Sequence, residues 1–529
     1  MTAASGDVPA PGGADPGLGR LARGAGVALL VAAFLLRIFP ILWGSALYDE
    51  GQYGLHSDEP KILRYVDDFP GSILELHDYR YPTFVHNVCG MAWAGIGGLF
   101  GLRDEAPSEA GSPSYEHAMI FGRALCVLVF GMGGVLLTWA FTRRAFGPRA
   151  GLWALAASNL FVWTIASTAL VQVDVCSAAA LTLVFLLLLH VERAPRLELA
   201  YAAWIGMALG AAVASKYTAG IGVVGAAVVA LAVRRSGRAT WKQLALFTSL
   251  TAAFALMVFL IFVPGAIYDS AYFWNSLEYE LRDKGSGVGS RVGFGQFLEA
   301  LNDCLPWWLL LPAAAGYGLA LRDRRSPVVI GVGLTLVLYV AATARAFKPD
   351  YGILAVPFVA CFAGLFAERV ARAGGRWATA LLVAAVALGH LGAARAMVLR
   401  YTADTRYRFQ DWALDHIPPG PLGEAPRATE RPYWSCPKAP PGYEFVSVHD
   451  QPEWIVLNQR DSYTARMVIE AGREGFGRMG PRDLSFYRDV LLGERQRYRY
   501  DLVQTFEPLD LPLDKKGKVI EVYRRTETP

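Results

Sequence analysis

The sequence predicts an α-helical polytopic membrane protein with about eleven transmembrane helices and a C-terminal α/β domain outside the membrane. Two observations support this fold class: 54% of the 529 residues are hydrophobic, and apolar runs recur along most of the chain. Many of these runs reach the roughly 20 residues that a helix needs to cross a bilayer. The net charge of +4 is small, so nucleic acid is not indicated as a partner.

Basic residues in every second loop set the predicted direction of the spans, because short loops rich in Lys and Arg stay in the cytoplasm. The predicted spans are 24–45, 123–142, 150–167, 175–191, 198–214, 218–233, 243–263, 305–321, 327–343, 350–368 and 377–398. The basic residues between or before them are Arg20, Arg23, Arg143, Arg144, Arg149, Arg193, Arg196, Arg234, Arg235, Arg238, Lys242, Arg322, Arg324, Arg325, Arg369, Arg372 and Arg376. The N-terminus is therefore predicted to be cytoplasmic, and the first span is interpreted as an anchor because no convincing cleavage site follows it.

The chain divides into three predicted regions. Residues 1–22 are predicted to be a disordered cytoplasmic N-terminus, 23–400 a transmembrane domain, and 401–529 a soluble external α/β domain. In the last region DTRYRFQDWALDHIPPG predicts a helix that ends at Pro-Pro-Gly, whereas EWIVLN and KVIEVYRR predict strands. A long external loop, 46–122, follows the first span.

One segment of that loop, YPTFVHNVCGMAWAGIGGLF at 81–100, is apolar enough to be a twelfth span. If it crossed the membrane, every later basic loop would move to the outside, against the charge pattern. It is therefore predicted to be a helix that lies against or dips into the outer leaflet.

The cysteines give no indication of a metal site or a disulfide. They form no CxxC pair and no spacing typical of metal ligands, so they are interpreted as packing residues. They are Cys89, Cys126, Cys176, Cys304, Cys361 and Cys436.

Carboxylates are concentrated outside the membrane, next to the spans. Asp58 and Glu59 lie in LHSDEPKILRY, and a rival pair, Asp49 and Glu50, lies closer to the first span. Asp174 lies at the outer end of the fourth span. Ionisable residues in such places indicate a functional site. The structural alternatives are a helix cap before Pro60 and a carboxylate favoured by the helix dipole at Asp174.

Isolated cations face the same side and break the pattern of basic cytoplasmic loops. They are Arg123, Lys216, Arg291, Arg345 and Lys348. Contact with lipid headgroups is the structural explanation for any one of them. As a set they also suit a lipid-linked phosphate, since Arg and Lys bind phosphate oxygens strongly. Together with a carboxylate as general base, they indicate transfer of a sugar from a polyprenyl phosphate to a hydroxyl.

The chain resembles GT-C type polytopic glycosyltransferases of family 39, the relatives of protein O-mannosyltransferases and of the lipid A aminoarabinose transferase. The resemblance rests on HSDEPKIL after the first span, with further matches in the same order along the chain. These are HDYRYPTFVHNV, the arginine that opens the second span, RRAFG, STALVQVD, ASKYTAG, FKPDYGILAVP and DTRYRFQDWALDHIPPG. No single motif is highly specific; their order is.

The resemblance implies a GT-C fold and roles for named residues. Asp58 would be the general base of an inverting transfer, and Glu59 would shape the site or hold the acceptor. Asp174 would be a second acidic residue, in contact with the acceptor or a metal. The donor phosphate would be held by Arg123, Lys216, Arg345 and Lys348.

Three departures from the family pattern weaken the transfer of individual roles. Ser57 stands in place of the family proline, Pro82-Thr83 in place of Pro-Pro, and Asp350 in place of the arginine before Tyr351. Tyr81 and Tyr351 are further candidates for the site. Asp58-Glu59 is preferred to Asp49-Glu50 because Pro60 and Lys61 follow it as in the family.

The implied partners are a polyprenyl-phosphate sugar donor, membrane lipid and a hydroxyl acceptor, which a protein, lipid or glycan can all supply. The implied location is a bacterial plasma membrane, with the site on the extracytoplasmic face. No cofactor is required by the sequence, and a divalent cation is left open because some distant relatives need one. A transporter or flippase of a lipid-linked sugar is the alternative, since it also places charges in a membrane cavity.

Overall fold

A computed structural model of the chain shows a large helical body followed by a small mixed sheet. It describes residues 16–42, 59–72, 79, 82–103, 113–278, 294–324, 326–344, 347–402, 405–424, 442–447, 453–458, 484–485, 488, 499–507 and 519–526. The predicted fold class is confirmed.

The helices follow the apolar runs of the sequence. The first half of the chain contains α1 Pro16–Ile38, α2 Glu59–Asp67, α3 Phe84–Leu99, α4 Pro113–Leu125, α5 Met132–Phe146, α6 Pro148–Ser158, α7 Val162–Thr168, α8 Val173–Arg193, α9 Leu199–Ser215, α10 Gly222–Arg235 and α11 Trp241–Phe262. The second half contains α12 Gly265–Tyr268, α13 Ser270–Glu278, α14 Phe294–Cys304, α15 Trp307–Arg324, α16 Pro327–Thr343, α17 Pro349–Gly352, α18 Val356–Thr402 and α19 Thr405–His416. Helix α1 begins at Pro16, so it extends into the segment predicted to be disordered.

Each of the predicted spans overlaps one of these helices. In the described part of the chain six helical segments are long and apolar enough to cross a membrane, or eight if each bent pair counts as one span. One of the six, Pro349–Leu399, contains the last two predicted spans, and the shorter apolar helices α9 and α16 contain two more. The region of α3 is in neither group, and its interpretation as a helix that does not cross stays a prediction.

Several helix ends follow from local sequence chemistry. Thr240 and Gln243 form a capping box at the start of α11. Ser326 caps α16, whose first residue is a proline. The long helix α18 is interrupted at Gly375, which has a φ of 61° that residues with a Cβ rarely adopt. This break separates the last two predicted spans.

Small residues let neighbouring helices approach closely, as is common in membrane bundles. A Cβ added at Gly206 or Gly210 on α9 would lie 2.5 Å from a backbone oxygen of α11. A Cβ added at Gly364 on α18 would lie 2.5 Å from the backbone nitrogen of Ala154 on α6. Backbone contacts of this kind hold the helical body together.

The C-terminal region contains a five-stranded sheet in the order β2-β1-β3-β5-β4. Its strands are β1 Pro421–Glu424, β2 Glu444–Ser447, β3 Trp454–Asn458, β4 Arg499–Phe506 and β5 Ile520–Thr526. Strand β1 is parallel to β2 and β3, whereas β5 is antiparallel to β3 and β4. Phe409 and Ala413 of α19 pack with Val456 and Val522 of the sheet in one apolar cluster. The predicted helix and both predicted strands of this region are present.

Candidate active site

Glu59, the second acidic residue of the HSDEP motif, is fully buried against Arg123. The Arg123 guanidinium donates from Nε to Glu59 Oε1 at 2.7 Å and from Nη2 to Glu59 Oε2 at 2.6 Å. Neither side chain is exposed. This is the bidentate geometry that makes an Arg–carboxylate pair strong and directional.

The same pair joins three segments that are far apart in the sequence. The backbone N–H of Val171 donates to Glu59 Oε1 at 3.1 Å, and Arg123 Nη1 donates to the carbonyl oxygen of Ile41 at 2.9 Å. The start of α2, the helix α4 and the loop between α7 and α8 therefore meet at one carboxylate, and Arg123 also binds the segment after α1. Asp174 follows Val171 by three residues, so the start of α2 is joined to the segment that leads into α8.

Asp174 forms an ion pair with Lys216, across the start of α8 and the end of α9. The Lys216 ammonium donates to Asp174 Oδ1, and the two side chains are 14% and 13% exposed. Lys216 Nζ also lies 4.3 Å from the centre of the Tyr351 ring, which is a cation–π distance. Burial disfavours the charged ammonium, but the Asp174 carboxylate outweighs it and raises the pKa of Lys216 above its ordinary value.

Tyr351 is held in place by the helix before it. Its carbonyl oxygen accepts a hydrogen bond from the Tyr339 hydroxyl at 2.9 Å, and its ring packs edge-on against Phe347. The neighbouring Asp350 accepts from Trp163 Nε1 at 2.8 Å. The side chain that replaces the family arginine thus anchors α17 to α7.

Tyr79 and the start of α3 contact the end of α11 and the segments on either side of it. The Tyr217 hydroxyl donates to the carbonyl oxygen of Tyr79 at 2.8 Å, and the Tyr79 backbone N–H donates to Ser276 Oγ at 3.2 Å. Asn87 Nδ2 donates to the carbonyl oxygen of Phe262 at 2.9 Å. Tyr217 follows Lys216 directly, so this docking fixes the chain beside the ion pair.

The remaining candidates divide into those described and those not. Lys348 is exposed and precedes α17. The structure does not describe Asp49, Glu50, Asp58, Tyr81 or Arg345, and the predictions for them stay predictions. Within the described ranges no group of three or more His, Cys, Asp and Glu side chains is arranged to hold a metal ion.

Sequence reasoning missed the partners of the predicted residues. Nothing in the sequence paired Glu59 with Arg123, or Asp174 with Lys216, because each pair is formed across tertiary structure. The roles of Trp163 and of the Val171 backbone amide were also missed. The sequence feature that could have indicated one of these contacts is Asp350, because it stands where the family has an arginine and so implies a different partner.

Comparison with known proteins shows which fold the chain has. Residues 115–264 match the model of the dolichyl-phosphate-mannose-protein mannosyltransferase family. Among solved structures, ArnT from Cupriavidus metallidurans bound to undecaprenyl phosphate is 14% identical, with a TM-score of 0.51, over 96% of this chain and 98% of that one. No curated protein matches the chain.

Two further matches come from the archaeon Archaeoglobus fulgidus. Its oligosaccharyltransferase tethered to an acceptor peptide is 13% identical, with a TM-score of 0.52, over 96% of this chain and 74% of that one. AglB in complex with an inhibitory peptide and a dolichol-phosphate is 15% identical, with a TM-score of 0.50, and covers 76% of this chain. This chain spans 58% of the length of that AglB structure.

These findings confirm the resemblance to GT-C glycosyltransferases that the motifs indicated. The chain is a multi-pass membrane protein with the GT-C fold, and its C-terminal region carries a small sheet of its own. At these levels of identity the structural matches establish the fold, and the activity is argued separately.

Proposed function

We propose that this protein transfers a monosaccharide from a polyprenyl-phosphate donor to a hydroxyl acceptor at the extracytoplasmic face of a bacterial plasma membrane. The observation that carries the proposal is the hydrogen bond from the Val171 amide to the buried Glu59 carboxylate. This bond joins the start of α2, which directly follows Asp58 in the sequence, to the loop that leads to Asp174 at the start of an apolar helix; a position at the ends of apolar helices suits a lipid-linked substrate. The family match and the undecaprenyl-phosphate ligand of the ArnT structure support the class of donor.

Asp58 is proposed as the general base that deprotonates the acceptor hydroxyl. Its neighbour Glu59 has both carboxylate oxygens engaged, so it acts as a positioning residue rather than a ligand for the acceptor. A hydroxyl nucleophile activated by Asp58 attacks the anomeric carbon and displaces the lipid phosphate with inversion.

The basic side chains of the site differ in how available they are to bind a phosphate. Arg123 is buried, and its guanidinium bonds Glu59 and Ile41, so we reassign it from phosphate binding to positioning. Lys216 is partly exposed, and its ammonium forms an ion pair with the Asp174 carboxylate. The donor phosphate is therefore proposed to meet Lys216, exposed Lys348 and Arg345, which stabilise the charge that develops on the leaving group.

Asp174, which is paired with Lys216, is proposed to orient the acceptor, while Lys216 supplies the local positive charge. A divalent cation stays open as an addition to this site. If Lys216 supplies the needed charge, transfer persists in EDTA; loss of transfer in EDTA and recovery with Mg²⁺ or Mn²⁺ shows that a metal is required.

The test is a transfer assay with the full chain in nanodiscs. Radiolabelled polyprenyl-phosphate mannose is supplied, then the corresponding pentose donor, with a pool of membrane lipids and peptides as acceptors. We expect wild-type protein to transfer label and Asp58→Asn to lose at least about 100-fold in rate, the usual contribution of a general base. Asp411→Asn, which removes an exposed carboxylate from α19, is the matched control and keeps its rate.

Other outcomes point elsewhere. Full transfer by Asp58→Asn together with loss in Asp49→Asn moves the base to Asp49. Passage of a fluorescent polyprenyl-phosphate sugar across the bilayer, with no transfer to any acceptor, favours the transporter or flippase alternative instead.

A further inference from the structure

The short helix α17 lies beside the Asp174–Lys216 ion pair and is held there by side chains of other helices. It has only four residues, Pro349–Gly352, and a single helical turn is not stable by itself. From α7, Trp163 Nε1 donates to Asp350 Oδ1 at 2.8 Å. From α16, the Tyr339 hydroxyl donates to the carbonyl oxygen of Tyr351 at 2.9 Å. The position of α17 therefore depends on these contacts.

Two bent helix pairs contact α17. Helix α7 is the second half of the pair α6–α7, which bends by 74°, and α14 is the first half of the pair α14–α15, which bends by 85°. A Cβ added at Gly352 would lie 2.6 Å from the sulfur of Cys304, the last residue of α14. Since α14 packs this closely and α7 binds Asp350, α17 cannot shift without moving one of the two pairs.

Helix α17 presents one side chain to the ion pair, the ring of Tyr351. Lys216 Nζ lies 4.3 Å from the centre of this ring and donates to Asp174 Oδ1. A lysine ammonium sits on a flexible four-carbon stem and has three donors, so its direction is set by the groups around it. The carboxylate and the ring face together restrict the ammonium of Lys216 to one position.

We infer that Trp163 and Asp350 are positioning residues for Lys216. Their hydrogen bond fixes the backbone next to Tyr351, the Tyr351 ring is thereby held against Lys216, and the ammonium is kept where it meets the donor phosphate. This role rests on the proposed function, which assigns the phosphate to Lys216. Asp350 stands where the family has an arginine, and a carboxylate repels a phosphate. This chain therefore uses position 350 to orient a cation rather than to supply one.

The test measures binding of undecaprenyl phosphate to the full chain in detergent, because this probe carries the lipid and the phosphate without a choice of sugar or acceptor. We expect Trp163→Phe to bind it roughly tenfold more weakly than wild type, since a displaced Lys216 loses about one hydrogen bond to the phosphate. Asp350→Asn keeps an oxygen that accepts from Trp163, and it should keep the affinity.

The aromatic ring is tested in the same binding assay. Tyr351→Phe keeps the ring face over Lys216 and should bind like wild type. Tyr351→Leu removes the cation–π contact and should weaken binding about as much as Trp163→Phe does. Equal affinities of Tyr351→Leu and Tyr351→Phe would overturn the inference.

A Lys216→Met background separates positioning from a general effect on the fold. Without the ammonium, Trp163→Phe should weaken binding no further. If Lys216→Met alone does not fold, the background is the double variant with Asp174→Asn, which leaves no unpaired charge. Trp93→Phe is the matched control, because Trp93 Nε1 also donates to a carboxylate, Asp67 Oδ1, at 3.3 Å, but joins α3 to α2. It should lower Tm and keep the affinity.

The outcomes distinguish this inference from the proposed function. Wild-type affinity in Trp163→Phe overturns the inference, as does a loss of the same size with and without Lys216. The proposed function stands in both cases. If Lys216→Met binds undecaprenyl phosphate as tightly as wild type, or wild type does not bind it, the assignment of the donor phosphate is wrong and the inference falls with it.

Discussion

Glu59 and Arg123 show how a motif residue can serve a site without touching a substrate. Both side chains have zero exposure, and both oxygens of the Glu59 carboxylate accept hydrogen bonds, two from Arg123 and one from the Val171 amide. Removing one partner of a buried pair leaves an uncompensated charge, which typically costs about 3–5 kcal/mol of folding stability. We therefore expect the pair to contribute mainly to the free energy of folding.

We predict that Arg123→Met lowers Tm strongly in a detergent-based unfolding assay, by the loss of about 3–5 kcal/mol. Arg149→Met, an exposed arginine on α6, should change stability by less than about 0.5 kcal/mol. An Arg123→Met protein that keeps its Tm but binds the lipid donor poorly would restore Arg123 as a phosphate ligand.

Asp174 and Lys216 form the second residue-scale test, because each neutralises the other at low exposure. Asp174→Asn and Lys216→Met should each lower Tm and the kcat/KM of sugar transfer. The double variant should be more stable than the sum of the single losses predicts, with a coupling energy of about 0.5–3 kcal/mol. Strictly additive losses would show that the two charges do not depend on each other.

At the scale of elements, the bundle depends on glycines at helix crossings. Gly206 and Gly210 bring α9 against the backbone of α11, and α9 ends next to Lys216. The position of Lys216 therefore depends on this crossing.

We predict that Gly206→Leu pushes α9 away from α11 and destabilises the protein by about 1–3 kcal/mol, the usual cost of overpacking. Gly318→Leu on α15 is the control, since a Cβ there meets nothing within 4 Å. Thermal unfolding compares the two variants. Equal Tm values would mean that the crossing can open without cost.

How far the elements could be predicted depended on the strength of the local signal. Long apolar runs identified the spans, and short runs rich in β-branched and aromatic residues identified β3 and β5. The bends of 74° and 85° within two helix pairs were missed, because they depend on tertiary contacts such as that of Arg37 with Asn159. Strands β1 and β2 have four residues each, too few for a periodic signal.

The sequence analysis singled out both Asp174 and Lys216 but did not pair them. The two residues are 42 positions apart in the sequence, and their contact could be seen only in the folded structure.

At the scale of the whole molecule, the membrane orientation is a prediction from the basic loops that is open to direct measurement. A membrane-impermeant thiol reagent on intact cells should label Asp411→Cys, on α19 in the C-terminal region, in a Cys436→Ser background. It should label Arg149→Cys, in a predicted cytoplasmic loop, only after the membrane is permeabilised. The five cysteines that the structure describes are all buried, so they give a low background. The reverse pattern would place the proposed site in the cytoplasm.

The meeting of three segments at Glu59 also bears on how the protein matures during synthesis. Val171 follows Arg123 by 48 residues, and ribosomes add about 5–20 residues per second. For the intervening seconds the nascent chain holds Glu59 and Arg123 but lacks the amide that completes the junction. Glu59 therefore gains its hydrogen bond from the Val171 amide only once the segment that leads to α8 has been synthesised, and chains that stall earlier lack this junction.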